Sequence, residues 1–113
     1  MSTDLIMDVQ ALIAKLNTSI KMLRKTGTEF AEAERDYKIL LRQEALKLKD
    51  GGMAVTLIDK AVYGSKAVAD ARFKRDVAEA TYKANQESIN VLKLQIRILD
   101  NQIGREWGTP QSS

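Results

Sequence analysis

The 113-residue chain contains no cysteine and no histidine. Without cysteine there is neither a disulfide framework nor a thiolate metal site. Without histidine the commonest general base and the commonest metal ligand are both missing. Proline occurs once, at Pro110, so no proline interrupts the chain before its end. One tryptophan, three tyrosines and two phenylalanines make up the aromatic complement, and the remaining apolar mass is largely Leu, Ile, Val and Ala, which suits helix seams. No apolar run approaches the ~20 residues of a membrane-spanning helix, and the N-terminus lacks a basic region followed by an apolar stretch. The expected address is the cytoplasm, with no membrane partner.

Charge of one sign is also scarce. The net charge is +3, and the basic residues spread evenly over both halves. A protein that coats nucleic acid usually carries a stronger stripe or patch of one sign. Nucleic acid is therefore a second-choice partner. The length suits a single domain.

What is present is helical periodicity. Apolar residues recur at Leu5, Val9, Leu12, Leu16, Ile20 and Leu23, then at Phe30, Tyr37, Leu41 and Leu48. Most steps are three or four residues, the spacing of one helical face. Ile6, Ile13 and Leu40 widen the stripe, as a core-facing helix requires. Ser2 or Thr3 is placed to cap the start, with Asp4 and Asp8 complementing the helix dipole. The pattern predicts one helix from about residue 4 to about residue 49. Thr26 and Glu29 have capping-box spacing around Gly27, so a restart there is the competing reading. The seam keeps its phase through Leu23, Gly27 and Phe30, which favours an unbroken helix with Gly27 admitting a neighbouring backbone.

Lys47, Lys49 and then Asp50-Gly51-Gly52 are the expected C-terminal signals. Met53 to Val55 reads as a short extended link. Thr56 and Asp59 have capping spacing and open a short helix over residues 56–63, closed by Gly64. Ser65 then caps a last long helix over residues 66–104, with Ala78, Tyr82, Asn85, Ile89, Leu92, Ile96, Leu99 and Ile103 stepping by four and three. That is a coiled-coil seam. Gly104 and Gly108 are expected to end it, leaving residues 105–113 as a flexible tail with Trp107 to Ser113 frayed.

The fold class expected is all-α: an antiparallel hairpin of two long helices, coiled-coil-like, with a short helix in the connection. Closing it with residues near 49 and 66 opposite each other sets Phe30 beside Asn85, Ala33 beside Tyr82, Tyr37 beside Ala78 and Leu12 against Ile103. Two features extend this to a homo-oligomeric helical bundle. Val91, Leu94 and Ile98 form a second apolar line that one partner helix cannot cover. Asn85 places a polar group in the seam, a device that fixes register or oligomer state. Asn85, Val91, Leu94 and Ile98 are thus the candidate oligomer interface.

Catalytic equipment is thin. Carboxylates have no histidine partner, and nothing matches a di-metal Glu-x-x-His pattern, so a non-enzymatic protein with no cofactor and no metal is expected. The richest stretch runs from Lys60 to Arg75. Lys60, Tyr63, Gly64, Ser65, Lys66, Arg72 and Arg75 surround a helix start, where free N–H groups, a hydroxyl and an ammonium suit a phosphate. The plainer alternative is a capped helix start with solvated lysines, since this is no P-loop. Arg35-Asp36-Tyr37 and Arg72, Arg75 and Asp76 would lie close together in the expected register. They form either a salt-bridge network or a polar pocket with Tyr37 and Tyr63 as stacking surfaces. Lys15, Lys21, Arg24 and Lys25 make an acid-free stretch that reads first as a solvated face, with contact to a phosphate backbone as the alternative.

Ala33-Glu34-Arg35-Asp36-Tyr37, Gly52-Met53-Ala54-Val55-Thr56-Leu57-Ile58, Val68-Ala69, Lys74-Arg75-Asp76-Val77-Ala78 and Arg105-Glu106-Trp107 together resemble a family of small helical proteins of phages and prophages of Gram-positive bacteria. The resemblance covers nearly the whole chain. It implies a small accessory protein acting in an infected host cell, and it transfers no functional residue. Where the family has proline before Val-Thr, this chain has Ala54, which makes the link less rigid. The roles that fit are counter-defence, by sequestering an anionic nucleotide signal or blocking a host defence protein; an accessory part in phage recombination or replication through DNA or a protein; and a plain oligomeric adaptor. Sequestration comes first on the sequence, because it uses the Gly64-Ser65-Lys66 helix start.

Overall fold

The computed structural model describes the backbone of residues 2–112 and the side chains of residues 4–107. Three helices follow in order: α1 (Ser2–Asp50), α2 (Val55–Tyr63) and α3 (Lys66–Ser112). The two long helices pack on each other and no strand is present among the described residues. The side chains of Ser2 and Thr3, either of which was expected to cap α1, lie outside the described side chains. Contacts divide the chain into two compact units, residues 25–82 and residues 1–24 with 83–113.

In the unit of residues 25–82, α1 ends in a turn set by backbone chemistry. Gly52 takes φ +88°, its N–H donates to Lys49 O at 3.0 Å, and Met53 N–H donates to Leu48 O at 3.1 Å. These two bonds are the Schellman pattern, which satisfies carbonyls that a helix end otherwise leaves bare. Ala54 is extended (φ −60°, ψ 135°) and stands at the N-cap of α2 without any side-chain cap. Thr56 is therefore not the cap expected of it. The turn leaves the chain ready to enter helix at Val55, and Leu57 N–H closes on Ala54 O at 2.9 Å. Ser65 does cap α3 as expected, its Oγ accepting from Val68 N–H at 3.2 Å.

α2 buries Ile58 and Val62, one turn apart, and leaves Val55 and Leu57 exposed. Val62 joins Tyr37 of α1 and Val68 of α3 in a core, with Leu40, Leu41, Ala45, Leu48 and Ala71 packed around it. α1 runs through Gly27 without a break. What approaches Gly27 is a ring and not a backbone: a Cβ there would lie 3.0 Å from Tyr82 Cε1. Tyr82 also packs on Phe30, with ring centroids 6.1 Å apart.

In the unit of residues 1–24 and 83–113, segments of α1 and α3 pair antiparallel with no third element. Asn85 Nδ2 donates to Ser19 O at 2.9 Å, and the Ser19 and Ser88 hydroxyls lie 3.5 Å apart. Leu12 and Leu99 line one groove. Ile89 and Leu92 are the buried residues here among those described.

These contacts correct the expected register, by roughly one helical turn of about 3.6 residues at Tyr37, Phe30 and Leu12 and by roughly two to three turns at Ser19. Phe30 meets Tyr82, Asn85 meets Ser19, and Leu12 shares its groove with Leu99 where Ile103 was expected. Tyr37 lies under Arg75, not Ala78, and Ala33 shares a groove with Ala78. Two specific fits decide the shift: a ring that needs the space over a glycine, and an amide that needs a carbonyl. Matching large against small residues does not detect either. The expected end of the last helix is also corrected, since α3 continues past Gly104 to Ser112. Among the described residues Gly52 is the one with positive φ, so Gly104 takes ordinary helical geometry and only weakens the helix.

Candidate functional site

Two candidate sites can be built from their residues: the start of α3 with its basic neighbours, and the outward line of α3.

At the α3 start several of the groups that would grip an anion are engaged. Gly64 N–H donates to Ala61 O and Ser65 N–H to Val62 O, both at 3.2 Å. Gly64 has φ −86°, so it continues the right-handed path without opening a concave turn. The Ser65 hydroxyl serves as the cap. Lys66 Nζ bonds Asp70 Oδ2 at 2.6 Å, one turn along the same helix. That hydrogen bond and the carboxylate charge hold the ammonium above its ordinary pKa, on a fully exposed side chain. Lys60 and Arg72 are exposed on α2 and α3. Tyr63 is half exposed and turns into a groove with Lys38, Arg42 and Asp59.

Arg75 is drawn into the protein. Its guanidinium stands 4.7 Å from the Tyr37 ring centre, its Nη1 lies 3.5 Å from Glu34 Oε1, and its Nε donates to Asp76 at 2.8 Å. Burial opposes its charge, but the bond to Asp76 and the charges of Asp76 and Glu34 outweigh burial and hold the pKa above the ordinary arginine value. Glu34 also faces Lys38 at 3.7 Å, and Arg35 pairs with Asp36 at 3.0 Å. Across the helices Arg75 pairs with Glu34, while Arg35–Asp36 and Arg75–Asp76 pair within their own helices, so the salt-bridge reading holds in part and Arg72 is not among the paired residues. Tyr37 is buried beneath Arg75 and offers no open stacking surface. The pocket reading, which required Tyr37 and Tyr63 as a pair of free rings, is corrected. Glu34 was the residue missed, although its position three residues before Tyr37 puts it on the same face.

The outward line is different. Val91, Leu94 and Ile98 are 44, 51 and 53% exposed, on a unit whose interior holds Ile89 and Leu92. Ile6, Ile13 and Ile20 are exposed on α1 at intervals of seven residues, with Met7 and Met22 nearby in sequence. Asn85, grouped with the interface residues on sequence, faces inward to Ser19 and is corrected to a residue that sets the pairing within the chain. A seam amide seeks the nearest carbonyl, and the antiparallel helix supplies one.

Lys15, Lys21 and Arg24 are solvent-exposed. Among the described residues no group of three or more acidic side chains is placed to hold a metal ion, and no helix is long and apolar enough to cross a membrane. No family model, curated protein or solved structure matches the chain.

Proposed function

We propose that the chain is a non-enzymatic, self-assembling helical adaptor, whose Val91, Leu94 and Ile98 line is the contact between copies. One observation carries this reading. Residues 1–24 and 83–113 bury two apolar side chains among those described, yet expose Ile6, Ile13, Ile20, Val91, Leu94 and Ile98. These side chains are already about half buried, so covering the rest adds about half of the ~1.5–3 kcal/mol that full burial of one contributes, which favours a second surface. The setting is the one implied by the resemblance, a small accessory protein of a phage acting in the infected host cell, and the adaptor role adds a protein partner.

Leu94→Glu combined with Ile98→Glu tests the reading. The expected outcome is a fall to monomer mass in sedimentation velocity, with helicity retained. An unchanged mass would sink it. Anion capture at Lys66, the first choice on sequence, has less support because Lys66 is bonded to Asp70 and the Gly64 and Ser65 N–H groups already donate. A thermal-shift screen with linear and cyclic nucleotides and short DNA keeps it in competition. A nucleotide-specific rise that Lys66→Glu abolishes would replace the adaptor reading. A rise with DNA that falls steeply with salt would point to recombination or replication instead.

A further inference from the structure

The apolar line on α3 is the middle of a longer one. Glu87, Val91, Leu94, Ile98, Asn101 and Arg105 step by four, three, four, three and four residues, and all six are exposed. The line therefore keeps heptad phase on the outer flank of α3 over about 27 Å, at about 1.5 Å per residue. It is acidic at its N-terminal end, apolar in the centre and basic at its C-terminal end. Among the described residues neither Glu87 nor Arg105 takes part in an ion pair or hydrogen bond.

We propose that this line pairs antiparallel with the same line of a second copy, about a two-fold axis near residue 96. The proposal rests on the self-assembly reading and specifies its partner and direction. In this arrangement Leu94 of each copy meets Ile98 of the other, and Val91 meets Asn101 toward the edge. Glu87 of each copy meets Arg105 of the other, so every charge on the line has its complement and two such pairs form. A parallel pair would set Glu87 against Glu87 and Arg105 against Arg105, which is repulsive at both ends. A two-fold contact uses one patch on both partners, and only a patch with opposite charges at equal distances from its centre satisfies itself that way. The corresponding line on α1 runs Ile6, Gln10, Ile13, Asn17, Ile20 and Arg24. It is basic at one end with no acid at the other, so it lacks this self-complementarity.

Charge reversal reads the direction of pairing. Glu87→Lys alone and Arg105→Glu alone should each weaken self-association about ten-fold at low ionic strength, and the two together should restore it. A parallel pair would leave all three variants close to the unmodified chain. Because the chain has no cysteine, engineered disulfides give a second readout. A mixture of the Glu87→Cys and Arg105→Cys chains should oxidise to a cross-linked heterodimer, while each alone stays largely uncross-linked. Efficient cross-linking of the Glu87→Cys chain with itself would overturn the proposal in favour of parallel pairing. If Leu94→Glu with Ile98→Glu dissolves the assembly but the charge variants and mixed cysteines have no effect, the antiparallel register falls and the interface stands. If the unmodified chain sediments as a monomer at every concentration, both fall.

Discussion

The two units use the same pair of helices and differ in one element. In residues 25–82, α2 lies against α1 and α3, and buried Tyr37, Ile58, Val62 and Val68 follow from it. Among the described residues, 1–24 and 83–113 hold no third helix and burial is limited to Ile89 and Leu92. A pair of helices encloses only the narrow strip between them, whereas a third element creates an interior. The difference lies in the interior and not in the surface, since residues 25–82 also expose Ile39, Leu46, Val55, Leu57, Phe73 and Val77. Nine residues of α2 supply in one unit what another copy is proposed to supply in the other.

The sharpest way to test that contrast is to attack the core that α2 completes. Tyr37→Ala removes a buried ring and its stacking with Arg75, and should destabilise by about 3 kcal/mol at any protein concentration. Thermal unfolding measured over a hundred-fold concentration range checks this. A strong concentration dependence of the loss would mean that this core, too, is completed by another copy. Gly27→Leu comes next. It drives a side chain into the Tyr82 ring, and a loss of about 2 kcal/mol is expected, with altered near-ultraviolet circular dichroism from the displaced aromatic pair. Stabilisation would show that the close approach at Gly27 does not matter.

On the two-helix side the effects should be smaller. Asn85→Ala removes the bond to Ser19 O and should cost about 1 kcal/mol. Amide exchange in residues 83–104 should then speed up more than in residues 55–75. Equal acceleration everywhere would show that Asn85 supports the whole chain, not one unit. The smallest effect is a gain. Ala54 has φ −60° and its N–H makes no hydrogen bond within the described chain, so Ala54→Pro should stabilise by about 0.5 kcal/mol. A loss would mean that Met53 cannot accept a following proline.

Much of the architecture was legible in the residues. The four-three spacing from Ala78 to Ile103 names the α3 seam, the Gly51-Gly52 pair names the corner, and Ser65 names the α3 cap. These signals are local: each depends on one face of one helix or on one backbone angle. Thr56 looked like a cap because of its spacing to Asp59, but the preceding Schellman turn sets where α2 begins. Gly104 looked like a stop because glycine commonly ends helices, yet it does so through positive φ, which only Gly52 adopts among the described residues. The register was not legible because it depends on the shape of the Tyr82 ring against Gly27 and on an amide finding a distant carbonyl.

The candidate sites divide along the same line. Exposure of Val91, Leu94 and Ile98 followed from counting faces on one helix. The engagement of Lys66 by Asp70 was open to inspection, since the two are four residues apart, an ordinary ion-pair spacing. The stacking of Arg75 on Tyr37 was not, because it needs the true register.

The corner at Gly52 also bears on the order in which the chain folds. Met53 N–H closes onto Leu48 O across only a few residues, whereas Asn85 reaches Ser19 across 66. Short loops close at lower entropic cost and sooner than long ones. The hairpin should therefore nucleate at its closed end, with α2 folding onto the turn, and zip outward to Ser19 and Asn85 last. Stopped-flow kinetics can resolve this: Gly52→Ala should chiefly slow refolding, and Asn85→Ala should chiefly speed unfolding. If the two variants exchange these effects, closure starts from the termini. In a chain emerging from the ribosome, α1 would then wait for Gly52 and α2 before its buried face finds cover.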